Sequence, residues 1–191
     1  LCDITAPDAA ENIVEAALSR FSKIDILVNN AGICLPGTVE DQTPESWLKT
    51  MEVNVTAPFM ITRAVLPHMK LRRSGRIINL GSIMSDFGGP SLCAYGTSKH
   101  AIAGFTKSLS ADLGQFGITA NYLQPGAIMT PLAAPSMADP AFRAYWEEKA
   151  PVGRIGEAHE VAAAALFLAT DSASYVSGAG IKVCGGEISR F

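Results

Sequence analysis

The chain has 191 residues, of which 48% are hydrophobic and 17% charged, and its formal charge at pH 7 is −3. This length suits one domain with a sizeable core. Acidic and basic residues are interspersed without a basic block, which argues against a nucleic-acid-binding surface. The longest apolar run covers residues 161–169 and is far shorter than the ~20 residues of a membrane-spanning helix.

The 4 cysteines and 3 histidines are scattered, with no C-x-x-C pair and no zinc-ligand spacing. We therefore expect reduced thiols and no metal site. The first residues lack the basic and apolar regions of a secretory signal, so the expected location is cytoplasmic.

The predicted elements alternate between helices and strands along the chain. In order they are a helix over residues 7–21, a strand over 23–29, a long helix from 44, a strand over 76–80, a helix over 92–116, a strand over 118–123, a helix over 157–169 and a strand over 180–184. Pro58 and Pro67 lie inside the long helix, and each is expected to kink it.

The predicted strands are continuously apolar rather than alternating, which is typical of a parallel sheet covered on both faces. The sequence therefore predicts an α/β fold of three layers, with a doubly wound, Rossmann-like parallel sheet between two layers of helices. No repeat or linker divides the chain, so residues 1–191 are interpreted as one domain. Residues 131–156 are rich in proline, and we expect them to form a lid over a substrate pocket.

Tyr95 and Lys99 lie four residues apart in a predicted helix, so their side chains can share one face. A phenol with a pKa of about 10 is a poor base at neutral pH. An ammonium ~4 Å away favours the phenolate by ~4 kcal/mol at an effective dielectric constant of about 20. Tyr95 is therefore a candidate acid/base group, and shielding by a bound cofactor decides how useful it is near pH 7.

Ligands of such a sheet bind beyond the carboxyl ends of its strands, where the loops over residues 29–35, 81–91 and 125–130 are expected to meet. Ser82 lies at one such end, 13 residues before Tyr95, where both hydroxyls could reach one carbonyl oxygen. Asn54 lies inside the long helix, where an amide is a mediocre helix former that would be tolerated if it held a water.

Seven motifs in order resemble those of the short-chain dehydrogenase/reductase family, in its single-domain form. They are DIT at residues 3–5, NNAG at 29–32, VNV at 53–55, INLGS at 78–82, YGTSK at 95–99, PGAIMT at 125–130, and YVSG at 175–178 followed by a glycine pair at 185–186. Each motif is weak alone, but together they extend the resemblance over residues 1–191.

The resemblance implies hydride transfer between NAD or NADP and a small-molecule secondary alcohol or ketone. Tyr95 would act as general acid/base, Lys99 would lower its pKa and hold the cofactor ribose, and Ser82 would polarise the substrate oxygen. Asn54 would hold a water in the proton relay. The implied cofactor-binding residues are Asp3, Ile4, Asn30, Ala31, Gly32, Tyr95, Lys99, Pro125, Gly126, Ile128 and Thr130. The family also implies a homodimer or homotetramer.

Candidate residues at the substrate are Ser82, Met84, Cys93, Tyr95 and Leu132. For Met84 and Cys93, packing in the core is an equal alternative. Leu132, together with Met137, Phe142 and Trp146, could form an apolar lid or have no such role.

Two departures from the family pattern stand out. The glycine-rich phosphate loop is absent, since the chain starts at the segment that follows the family's third strand, about 60 residues into the domain. The Gly178-Ala179-Gly180 segment lacks the third glycine and opens a strand, so it is no dinucleotide fingerprint. Cys184 replaces an aspartate usual in the family, in a region associated with subunit packing.

The sequence leaves several alternatives open. It does not decide between NAD and NADP, or among polyols and sugars, 3-oxoacyl thioesters and steroids as substrates. A non-catalytic nucleotide sensor or scaffold on the same fold, or an inactive truncated form, is the alternative to an enzyme. A serine hydrolase is disfavoured because neither Ser82 nor Ser98 lies in a G-x-S-x-G motif.

Overall fold

The computed structural model describes residues 2–189. Its strands are β1 (Ile26–Asn29), β2 (Gly75–Leu80), β3 (Ile118–Pro125), β4 (Ile128–Met129), β5 (Gly156–Glu157) and β6 (Gly180–Val183). Its α-helices are α1 (Ala9–Phe21), α2 (Pro44–Met51), α3 (Ala57–Arg72), α4 (Cys93–Leu113), α5 (Ala134–Met137), α6 (Pro140–Lys149) and α7 (Ala158–Ala169). The proline-rich region predicted as a lid therefore contains α5 and α6.

The main sheet has four strands in the order β1-β2-β3-β6, and every neighbouring pair is parallel. Val28 pairs with Ile78, and Leu123 pairs with Ile181. Strands β4 and β5 form a separate short parallel pair. Because parallel strands end at one edge, the loops after β1, β2 and β3 meet there, as the sequence predicts.

Helices cover both faces of the sheet. On one face, Ile77 packs in a cluster with residues of α1, α3 and α4, among them Val14 and Val65. On the other face, the neighbouring Ile78 packs against Leu168 of α7. Since consecutive strand residues point to opposite faces, burial of both explains the continuous apolar pattern of β2. The three-layer α/β prediction is confirmed.

The long helix predicted from Pro44 is continuous but contains an irregular turn. The side chain of Thr43 caps α2 by accepting a hydrogen bond from the Ser46 backbone N–H at 3.1 Å. A π-helical segment, Glu52–Thr56, joins α2 to α3. Pro58 follows in the first turn of α3, directly after the π-helical segment, and Pro67 lies within α3 without ending it. The irregularity thus precedes Pro58, and α3 continues through Pro67 as an α-helix.

Strand β1 forms one edge of the sheet within residues 2–189. Its side chains Ile26 and Val28 are 45% and 46% exposed, unlike those of β2 and β3. In the described part of the chain all four cysteines are free thiols. None of the helices over residues 2–189 combines the length and apolar character needed to cross a bilayer.

Candidate active site

A cavity of about 330 Å³ lies beyond the carboxyl ends of β1, β2 and β3, between α4 and the segment with α5 and α6. The predicted site residues that line it are Asn30, Gly32, Ser82, Tyr95, Lys99, Pro125, Gly126, Ile128, Thr130 and Leu132. The fold thus brings together residues from four separate segments of the chain.

Tyr95, Ser82 and Lys99 form the polar centre of this cavity. Tyr95 lies in the first turn of α4, and its hydroxyl shares a hydrogen bond with the side chain of Ser82, which follows β2. Lys99 lies one turn further along α4 and is only 6% exposed. Its Nζ donates to the Leu80 carbonyl oxygen at 2.8 Å and lies 5.4 Å from the centroid of the Tyr95 ring. A buried ammonium is thereby held beside the phenol.

Burial dominates the acid–base properties of both groups. It raises the pKa of Tyr95, while the hydrogen bond from Ser82 lowers that pKa and the nearby Cys34 thiol raises it. Burial also lowers the pKa of Lys99 to about 8. The raised pKa of Tyr95 favours the protonated phenol.

Asn54 lies in the π-helical segment, behind the cavity rather than in its wall. Its Oδ1 accepts from the Ile33 N–H at 2.9 Å, and its Nδ2 donates to the Ile33 carbonyl at 2.9 Å and to Ser98 Oγ at 3.0 Å. Both amide N–H groups are thus committed to protein acceptors. The geometry makes Asn54 a clamp between the loop after β1 and α4, and only its oxygen has a lone pair left for a water.

Several predicted site residues lie elsewhere. The exposed Asp3 carboxylate accepts from the backbone N–H and hydroxyl of Thr5, and Ile4 packs against the cluster of α1, α3 and α4. Ala31 is exposed between two cavity residues. Met84 is buried in the core beside Cys184, which explains why the cavity does not reach it.

Cys93 lines a second, separate cavity rather than the one at Tyr95. Its neighbours there include Thr38, Phe87 and His100. The thiol that does line the main cavity is Cys34, in the loop after β1, whose pKa is raised by burial and lowered by Lys99. The sequence analysis missed Cys34, although its position two residues after the NNAG motif was an available signal.

Glu187 is a second residue that the sequence analysis missed. It is 9% exposed, and its carboxylate accepts a hydrogen bond from the Ala127 N–H, with Oε1 at 2.9 Å. Burial raises the pKa of this carboxyl, and the Ala127 N–H lowers it. A Cβ at Gly126 would collide with the carboxylate, so glycine is required there for this close approach. Glu187 therefore holds the loop that carries Ile128 and Thr130 into the cavity.

The residues present fit the nicotinamide and ribose portion of a dinucleotide. The buried ammonium of Lys99 makes one hydrogen bond within residues 2–189, so its remaining N–H groups can donate to a hydroxyl in the cavity. Ile128 and Thr130 offer backbone and hydroxyl groups beside it. No G-x-G-x-x-G segment occurs in the sequence, so we assign no residues to the pyrophosphate.

Comparison with known proteins agrees with this arrangement. The family model described as enoyl-(acyl carrier protein) reductase matches residues 1–187. The chain is 35% identical to a 3-oxoacyl-(acyl-carrier-protein) reductase, FabG, of Vibrio cholerae, over 96% of this chain and 75% of that protein. It is 38% identical to momilactone A synthase of Oryza sativa subsp. japonica, over 97% of this chain and 70% of that protein.

Solved structures show the same fold. A gluconate 5-dehydrogenase from Burkholderia cenocepacia, in complex with NADP and tartrate, superposes with a TM-score of 0.95 at 34% identity, over 99% of this chain and 74% of that one. Levodione reductase superposes with a TM-score of 0.95 at 31% identity, over 100% of this chain and 76% of that one. The family match, these identities and the common fold establish that the chain belongs to the short-chain dehydrogenase/reductase family, a family of NAD- or NADP-dependent oxidoreductases.

Proposed function

We propose that this protein interconverts a secondary alcohol and a ketone, with Tyr95 as the general acid/base. The observation that carries the proposal is the convergence of the Tyr95 and Ser82 hydroxyls and the Lys99 ammonium on one cavity. Two hydroxyls that meet at one point can both donate to a carbonyl oxygen, which polarises it for attack at carbon.

In the reducing direction, Ser82 and Tyr95 donate to the ketone oxygen. Tyr95 then gives its proton to that oxygen as negative charge develops there, and the raised pKa of the buried phenol is consistent with a proton held until then. The ammonium of Lys99 lies close enough to stabilise the phenolate that remains. In the oxidising direction the phenolate removes the proton of the alcohol.

The cofactor contacts complete the proposal. A bound nicotinamide nucleotide supplies or accepts the hydride. Lys99 holds its ribose, and Ile128 and Thr130 hold its carboxamide, while Glu187 keeps their loop in place from behind. Contacts of Asp3 and Ile4 with the adenine, and of Asn30, Ala31 and Gly32 with the adenosine, stay predictions.

Assembly into a homodimer or homotetramer also stays a prediction. One feature supports it, because Phe59 of α3 is 46% exposed and stacks edge-to-face on Phe105 of α4, with the ring centroids 6.2 Å apart. The exposed face of Phe59, backed by the partly buried Phe105, is a surface that a second subunit could cover.

The test is the substitution Tyr95→Phe, which removes the hydroxyl and keeps the ring. We expect the rate of cofactor oxidation or reduction to fall by about 100- to 10,000-fold, the range typical of a lost general acid/base. Tyr175→Phe is the matched control, since Tyr175 is fully exposed. An undiminished rate in Tyr95→Phe would remove Tyr95 from the mechanism, and nucleotide binding without turnover in the unaltered protein would favour the non-catalytic alternative.

A further inference from the structure

The wall of the cavity that faces away from the β-strands is mostly apolar, with Ser136 of α5 as a hydroxyl residue among its members. It is formed by Ile83 at the end of the loop after β2, by Leu132, and by Met137, Phe142 and Trp146 of α5 and α6. In the part of the chain that the structure describes, the titratable groups lining the cavity are Cys34, Tyr95 and Lys99. Within residues 2–189 no carboxylate and no guanidinium lines this wall, so a charged group of a substrate would find no ion-pair partner on it.

Aromatic contacts hold this wall in place. Trp146 stacks edge-to-face on Phe142, with centroids 6.2 Å apart, and on Tyr145, with centroids 5.4 Å apart. The indole also packs on a cluster that includes Ile83 and Tyr95. Trp146 therefore places a large apolar surface next to the phenol, where the group attached to the reacting carbon must lie.

The two cations that flank Trp146 on α6 make their contacts outside the cavity. Arg143 of α6 is half-exposed and pairs with Glu147 at 2.9 Å, on the same helix as Trp146. Lys149 lies over the exposed ring of Tyr145, with its Nζ 5.4 Å from the centroid. Among residues 2–189, Lys99 is the single cation that lines the cavity, and its ammonium donates to the Leu80 carbonyl at the base, away from the apolar wall.

We propose that the substrate is a neutral ketone or secondary alcohol whose substituents next to the reacting carbon are apolar, such as an aliphatic ring or short chain. This inference rests on the proposed function and narrows its substrate class. A carboxylate or phosphate placed against this wall would find no ion-pair partner on it, whereas an apolar group gains from contact with Trp146, Leu132 and Phe142. Sugar acids and other anions are therefore poor substrates.

The first experiment compares 4-oxopentanoate with its methyl ester. The two share the 4-oxopentanoyl chain with its ketone, and the ester replaces the negative charge with a neutral methyl ester group. With the cofactor saturating, we expect kcat/KM for the ester to exceed that for the anion by at least about 10-fold. Among neutral methyl ketones, lengthening the chain by each methylene should raise kcat/KM until the cavity is filled. Equal efficiency on the ester and the anion, or a preference for the anion, would overturn the inference.

Two substitutions examine the wall itself. Trp146→Ala should raise KM for the ester by about 10-fold or more, with a smaller effect on kcat, because apolar binding is lost while Tyr95 stays. Tyr175→Ala, on an exposed ring, is the control and should change neither constant. Leu132→Lys places a cation at a half-exposed position of the wall and should raise the efficiency on 4-oxopentanoate relative to the ester by about 10-fold.

A binding measurement separates failure of this inference from failure of the proposed function. The methyl ester should quench the fluorescence of Trp146 at concentrations where 4-oxopentanoate does not, and Trp146→Phe should abolish that response. This readout needs no turnover. If the ester binds and Tyr95→Phe leaves turnover unchanged, only the proposed mechanism is wrong. If turnover requires Tyr95 but the anion binds as well as the ester, only the proposed substrate class is wrong.

Discussion

Two glutamates of this chain should respond to pH in opposite directions. Glu187 is buried, and burial raises the pKa of its carboxyl above the ordinary value of 4.5. Glu160 forms an ion pair with Arg154, and the hydrogen bonds of that pair lower the pKa of Glu160 to about 2. Because the pKa of each carboxyl differs between the folded and unfolded states, each shift makes the free energy of unfolding depend on pH.

For Glu187 the folded state favours the protonated acid. Ionisation of this carboxyl therefore destabilises the folded protein. The destabilisation is absent below about pH 4.5 and grows as the pH rises towards and through the raised pKa of the folded state. Glu187→Gln cannot ionise, and it keeps an oxygen that can accept from the Ala127 N–H. We expect the thermal midpoint of Glu187→Gln to rise relative to that of the unaltered protein as the pH increases above 4.5. The KM for the cofactor should be lower in Glu187→Gln than in Glu187→Ala, because only the glutamine can still hold the loop through the Ala127 N–H.

Glu160 provides the opposite case in the same assay. Its pKa is lowered, so its contribution is present above pH 4.5 and is lost as the pH falls towards 2. Glu160→Gln should therefore be less stable than the unaltered protein near neutral pH, with the difference shrinking on acidification. Parallel pH profiles for Glu187→Gln and Glu160→Gln would contradict the shift assigned to at least one of the two carboxyls.

At the scale of elements, the π-helical segment between α2 and α3 has a positioning role. It turns Asn54 towards the loop after β1, where the amide satisfies the N–H and carbonyl of Ile33 and also contacts Ser98 of α4. π-Helical turns are rare and occur often at functional sites. One side chain here connects three elements around the cavity.

Asn54→Ala removes the three side-chain hydrogen bonds of Asn54 to Ile33 and Ser98, and alanine is compatible with the helical backbone. We expect a loss of unfolding free energy on the order of 2 kcal/mol, because polar groups of Ile33 and Ser98 lose their partner. Asn12→Ala on the exposed surface of α1, where the amide donates to Asp8, is the control and should change stability by less than about 0.5 kcal/mol. Thermal unfolding of the two variants decides the matter, and equal midpoints would argue against a clamp.

For the whole molecule, the stability of the sheet depends on side chains buried between its layers. Leu123 in β3 is 0% exposed and packs with Ile78 of β2 and Leu168 of α7. Leu123→Ala should lower the free energy of unfolding by about 2–5 kcal/mol through lost burial and a new cavity.

The matched control for Leu123→Ala is Leu71→Ala near the end of α3, where the side chain is 86% exposed. That variant should stay within about 0.5 kcal/mol of the unaltered protein. Chemical denaturation measures both. Equal losses in the two variants would mean that the packing between β3 and α7 does not support the fold.

The sequence by itself determined those features that depend on neighbours along the chain. The alternation of apolar strands and helices gave the parallel, doubly wound sheet, and the four-residue spacing of Tyr95 and Lys99 placed both on one face of α4. The family resemblance rested on ordered motifs such as NNAG and YGTSK. The alternation of elements and the shared helix face follow from local periodicity and hydrogen bonding, which residues close together in the chain specify.

Tertiary structure alone decided which side chains meet across long intervals. Glu187 reaches Ala127 across 60 residues, and Cys34 rather than Cys93 faces Tyr95, although Cys93 lies two residues from it in sequence. The position of the Lys99 ammonium, over the Tyr95 ring and on the Leu80 carbonyl, and the burial that raises the pKa of the phenol likewise depend on tertiary packing. Such contacts depend on how separate elements pack and on the burial that results, and no local pattern encodes either quantity.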